Sequence, residues 1–168
     1  MTNAFHRLTV SQLAVAVQNM HSIMYKVEKY ARENGFETSK LLQARLHPNM
    51  FNLLQQLQYV CYVAVDLAQH FSSTAAPHVG YNEETWDELS ESLETTAAYL
   101  SAISETDVEK NTGKEVPTFM DDAIKMNVVD YAARVSLPDF YFHMTIAYAI
   151  LRHNGIPLGK SDFLGKIS

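Results

Sequence analysis

The chain has 168 residues and a mass of 19.0 kDa, enough for one domain around one buried core. Hydrophobic residues make up 47% and charged residues 19%, which excludes disorder as the main state, and six Gly with five Pro are too few for an all-β chain of tight turns. The net charge of −6 leaves no basic excess to neutralise phosphates, and the single cysteine, Cys61, excludes an intramolecular disulfide or a CxxC site.

The opening MTNAFHRLTVSQ lacks the apolar core of a signal peptide. The most apolar stretches carry Gln, His, Asp or Arg, too polar to span a bilayer. The sequence therefore predicts a soluble cytoplasmic domain, 1–168, with neither nucleic acid nor membrane as partner. Its acidity is local: residues 82–122 hold 12 acids against 2 Lys, and the remainder holds 7 acids against 11 Lys and Arg.

In chain order, Thr9-Val-Ser-Gln12 has capping-box spacing. Leu13, Val17, Met20, Met24, Val27 and Ala31 then recur at steps of three and four, which only a helix places on one face. Asn34-Gly35 supplies its left-handed stop. A connector follows, with a short helical piece over 39–46 that Pro48 ends. The second helix is predicted from about residue 49 to 71. Leu54, Leu57, Cys61, Ala64 and Ala68 form its stripe, widened by Leu53, Val60, Val63 and Leu67. Cys61 on that stripe reads as inert packing.

Residues 72–81 read as a loop and Asn82 as the cap of the third helix. Glu83, Glu84, Asp87 and Glu88 fill the first turns of that helix, where its dipole favours anions. Trp86, Leu89, Leu93, Ala97, Leu100 and Ile103 give its buried seam, and its acidic face is predicted to meet water. Residues 104–135 are loop chemistry followed by either a short helix or an extended strip. Ser136 and Pro138 predict the start of the fourth helix, with Phe140, Met144, Ala147 and Leu151 as its seam and Asn154-Gly155 as its end. The tail from Leu158 is predicted to pack over a helix end. Four long amphipathic helices, with no sustained alternating strand, predict an all-α four-helix bundle with a long connection between helices three and four.

Nucleophile-elbow, Walker and GxGxxG motifs are all missing from the sequence. Seven His occur, none in HxxxH or HExxH. The nearest constellation is Asp139-x-x-x-His143, whose members lie one above the other on a helix face. Two readings stand for it. Either Asp139 favours a helix N-terminus and His143 hydrogen-bonds to it, or both hold an ion. Gln56, among Val60, Val63, Leu67 and His70 on helix two, needs a partner, because an unpaired buried amide costs about 1–3 kcal/mol. His21 reads as a boundary residue, and His153 as a last-turn group that favours the dipole.

The string Leu137-Pro-Asp-Phe-Tyr-Phe-His-Met-Thr-Ile-Ala-Tyr-Ala-Ile-Leu-Arg-His-Asn-Gly-Ile-Pro-Leu-Gly-Lys160 resembles a branch of the DinB-like (YfiT-like) metalloenzyme superfamily that is a domain of unknown function. The segment Ala44-Arg-Leu-His-Pro-Asn-Met-Phe51, with Gln56 and Asp66 downstream, resembles that branch's second block. The resemblance covers nearly the whole chain. It implies a four-helix bundle, a homodimer, and relatives that hold nickel or zinc through three His, one on helix two and an HxxxH pair on helix four. Some of those relatives transfer or isomerise thiol conjugates. His143 matches the second His of the pair, Asp139 stands where the first would be, and Gln56 stands at the helix-two ligand. The metal set implied here is therefore Gln56, Asp139 and His143, a relic of a three-His site. With two ligands replaced, one of them by a weak one, the residues weigh toward no resident metal. Three readings follow: a divergent metal-dependent, thiol-transferase-like enzyme, a small-molecule-binding bundle, or a structural or stress-related dimer. Tyr141, Phe142 and Tyr148 are the aromatics that would line a ligand cleft.

Overall fold

The computed structural model describes residues 4–79 and 81–166. Four long helices dominate: α2 (Val10–Asn34), α4 (Leu53–Gln69), α5 (Trp86–Ala102) and α8 (Leu137–His153). Packing runs chiefly α2 on α5, α4 on α8 and α4 on α5, and each helix contributes its predicted stripe. Leu13, Val17, Met20, Met24 and Val27 of α2 are buried, as are Leu57, Cys61, Ala64 and Ala68 of α4. The seams of α5 and α8 are buried in full, while Leu54 of α4 is only half-buried. Burial pushes the Cys61 thiol up to about 11, which suits inert packing. Asp87, Glu88, Glu91 and Glu94 of α5 are exposed.

The helix ends depart from the sequence expectations. Thr9 does not cap α2. A short helix α1 (Ala4–Leu8) runs directly into it, and the Thr9 hydroxyl donates back to the Phe5 carbonyl at 2.6 Å. The helical piece α3 is only Ser39–Leu42, and α4 starts later than predicted because Asn52 and Gln55 form a reciprocal capping box. Thr85 with Glu88 caps α5 in the same way, displacing Asn82. Gly35 ends α2 at φ 70°, in the left-handed region.

The connection between α5 and α8 is where all-α fails. After α6 (Glu105–Asn111), strands β1 (Glu115–Thr118) and β2 (Asp121–Asn127) pair antiparallel, with Val116 opposite Met126. The hairpin is too short to alternate audibly in sequence, but Val116 and Thr118 point inward and are buried. Helix α7 (Val128–Tyr131), a π-helical turn (Ala132–Ser136) and α8 then run on continuously, so Ser136 caps nothing. Pro138 explains the π turn: it has no N–H, and its ring crowds the carbonyl four residues back, at Arg134. The tail forms α9 (Lys160–Leu164), which lies along α2 and not over a helix end. Lys26 Nζ meets Asp162 at 2.9 Å and Asn19 donates to the Phe163 carbonyl. The tail's last two residues, like the first three of the chain, fall outside the described ones. No helix among the described residues is long and apolar enough to cross a membrane.

Candidate functional site

The site is built where α4 faces α8. Gln56 sits one turn into α4, 1% exposed, and His143 sits in the middle of α8, 8% exposed. Both lie on core-facing stripes, so the packing of α4 on α8 brings two buried polar groups together. Gln56 Nε2 donates to the Phe51 carbonyl at 3.3 Å, which leaves its Oε1 as the acceptor for the His143 Nδ1–H at 2.6 Å. That bond sets the tautomer: in the neutral ring the proton is on Nδ1 and the lone pair is on Nε2. Nε2 faces Asp139 Oδ1 across 3.6 Å, too long for a hydrogen bond, and Asp139 Oδ2 is buried with no partner.

The three residues singled out from the sequence are thus neighbours, but their roles differ from the expected set. Gln56 meets the ring at Nδ1 and not at the nitrogen that faces Asp139, so it orients His143. Asp139 is not at a free helix N-terminus, because the π turn continues the helix before it. Only His143 Nε2 and the Asp139 carboxylate converge, and among the described residues no group of three or more His, Cys, Asp and Glu comes together. This donor set does not fit a three-donor nickel or zinc centre.

Burial holds His143 below its usual pKa of 6.5, with Asp139 pulling it partly back. Burial also pushes Asp139 above its usual 3.8, with His143 opposing. The depressed histidine contributes stability that is present above 6.5 and lost as pH falls through its folded value. The raised aspartate contributes stability that is present below 3.8 and lost as pH rises through its folded value. Urea midpoints should therefore fall on acidification from just above pH 6.5, less steeply in His143→Gln. Asp139→Asn should be more stable than the parent at pH 8 and lose that advantage in acid. Parallel profiles for all three proteins would show that the pair is not buried as described.

Aromatic rings surround the pair. Tyr59 lies 4.3 Å from the His143 ring, Phe142 5.2 Å and Phe51 5.9 Å, between centroids. Tyr62, Tyr81 and Phe119 extend the cluster from Tyr59. Tyr81 holds a positive φ of 49°, which is unusual for a bulky residue. A cleft of about 340 Å³ opens beside Asp139, lined also by Phe119, Met120, Arg134, Val135, Pro138 and Phe142. Of the aromatics expected to line it, only Phe142 does. Tyr141 bonds to Gln12, and Tyr148 packs edge-on against Phe163. Tyr59 and Tyr62 were legible in principle, at steps of three from Gln56 along α4, whereas Tyr81 and Phe119 lie on loops with no periodic signal. A wider opening of about 550 Å³ between α2 and α9 holds no comparable pair, since its acid, Asp162, is already paired with Lys26. His21 bonds to Ser90 across α2 and α5, and His153 is exposed.

The mostly helical fold is DinB-like, as its likeness to a solved structure shows. The chain belongs to the DUF1993 family, a domain of unknown function, whose model matches residues 5–164. It is similar to the crystal structure of a DinB family member from Shewanella denitrificans, at 30% identity and a TM-score of 0.88, over 96% of this chain and 92% of that one. Among curated proteins there is no match.

Proposed function

We propose that this chain is a four-helix bundle that binds a small organic molecule in the cleft beside Asp139, without a resident nickel or zinc. The observation behind this reading is the Asp139 carboxylate, the one acid in the lining of a cleft whose other walls are largely apolar. A ligand donor that reaches this carboxylate adds a charge-assisted hydrogen bond to the apolar contacts. Few polar groups converging in an apolar concavity are what ligand sites usually show. Metal-dependent thiol transfer, which the family resemblance implies, draws less support, because Gln56 is committed to His143 Nδ1.

Two measurements test the reading. Metal analysis of purified protein should give well below one nickel or zinc per chain. Titration of a chemically varied fragment set, followed by the His143 ring resonances, should give saturable shifts from some members. One tightly held metal per chain that is lost in both His143→Ala and Asp139→Asn would overturn the proposal, as would ring resonances that no fragment moves.

A further inference from the structure

Met120 is 70% exposed, the most of any large apolar side chain among the described residues. The other described methionines are better covered: Met20, Met24 and Met144 are buried, and Met50 and Met126 are half-buried. Its place in the fold explains the difference. Strand β1 ends at Thr118 and β2 begins at Asp121, so Phe119 and Met120 form the turn between them. Hydrogen bonds hold the backbone around that turn. The Thr118 hydroxyl donates to the Asp121 carbonyl at 3.1 Å, and the Phe119 N–H donates to the Tyr131 hydroxyl at 3.4 Å. The thioether therefore stands in water on a fixed backbone, and a reagent reaches its sulfur without any unfolding.

The same side chain borders the cleft beside Asp139, where Phe119, Val135, Pro138 and Phe142 supply the other apolar walls. Arg134 borders that cleft too. It is exposed and pairs with no carboxylate among the described residues, so its guanidinium donors are open to a new acceptor. A thioether sulfur is a weak acceptor, whereas its sulfoxide is polar and accepts through oxygen.

We infer that Met120 is an oxidation site of this protein: hydroperoxides oxidise it ahead of the other described methionines, and its sulfoxide oxygen accepts a hydrogen bond from Arg134. A sulfur lone pair attacks the terminal oxygen of the hydroperoxide, and the S–O bond forms as the O–O bond breaks. Sulfur gives up two electrons and the peroxide gains them. The proton of the transferred oxygen passes to the leaving oxygen, which departs as water or as an alcohol. The product turns an apolar wall of the cleft into a polar one. Its bond to Arg134 ties the hairpin turn to the π-helical turn over Ala132–Ser136. The site stands on exposure and not on the binding role proposed above, so each can fail without the other.

The test treats the full chain with limiting hydrogen peroxide and follows each methionine by peptide mass mapping. Met120 should take up oxygen about three-fold or more faster than Met50 and Met126, because susceptibility follows exposure. Met20, Met24 and Met144 should lag by about ten-fold or more. In the oxidised protein the Arg134 Nε–H resonance should shift, and its exchange with water should slow by about five-fold, the factor that one net hydrogen bond supplies. Met120→Leu keeps an apolar side chain at an exposed turn position, and peroxide should leave the Arg134 resonance of that variant unmoved. Oxidation of Met50 or Met126 as fast as Met120 would overturn the site, and the wild-type rates decide this whatever the variant does. Oxidation of Met120 first, with no change at Arg134, would overturn the tie between the two turns.

Discussion

Replacing His143 with Ala is expected to lower folding stability by about 3 kcal/mol. Two losses add. The ring packs against Tyr59, Phe51 and Phe142, and deleting a buried ring of this size leaves a void. The Gln56 carbonyl, in a side chain only 1% exposed, also loses its 2.6 Å donor. The hydrogen bond and the packing can be separated by a double-mutant cycle. Gln56→Leu should destabilise because it strands the His143 Nδ1–H. His143→Phe should destabilise because it strands the Gln56 carbonyl. The double variant, which removes both polar partners and keeps the volume, should be closer to the parent than the sum of the two, by about 1–2 kcal/mol. Urea denaturation with unchanged slopes measures all four proteins. Additive single and double effects would mean that the two side chains do not bond in solution.

The second large effect is expected at Tyr131, which is wholly buried although its hydroxyl is polar. That hydroxyl donates to Asp66 Oδ2 on α4 and accepts from the Phe119 backbone N–H at 3.4 Å. One oxygen therefore ties the tip of the β1–β2 hairpin to the long helix α4. Burial and the adjacent Asp66 carboxylate both push the phenol pKa up, so it stays a donor throughout the ordinary pH range. Tyr131→Phe keeps the ring and removes the tie. It should cost about 2 kcal/mol, because Asp66 Oδ2 and the Phe119 N–H both lose partners. Amide exchange across 115–127 should quicken by more than the global loss of stability explains. Phe119 walls the ligand cleft, so probe affinity should fall as well. Unchanged exchange in the hairpin would show that other contacts hold it.

The helices were legible because their signal is local. Leu13 through Ala31, Trp86 through Ile103 and Phe140 through Leu151 repeat at helical spacing, and each series is buried. Gln56, Asp139 and His143 stood out for a related reason: each is a polar group on an apolar stripe, and a buried polar group needs a partner. The helix ends were less legible, because several residues could cap them. Asn82 and Ser136 have capping chemistry but lack the Gln or Glu three residues on that completes a reciprocal pair at Asn52 and Thr85, and Thr9, which has Gln12, is taken up by α1 through the Phe5 carbonyl. The hairpin escaped notice because its four-residue first strand contains Pro117 and has only two inward residues.

By itself the sequence determined a helical domain, its core stripes and three polar residues that need partners, since periodicity and the cost of burying polar atoms act within a few residues of chain. The family resemblance carried by its α8 block is met by the DUF1993 match over 5–164 and by the DinB-like fold. Only the tertiary structure decided what each site residue does. Gln56 and His143 are 87 residues apart, and no local rule says which imidazole nitrogen the amide will meet. The approach of α4 to α8 makes that choice. It turns an expected ligand into the group that orients His143, and it leaves Nε2 3.6 Å from an Asp139 carboxylate that borders the cleft.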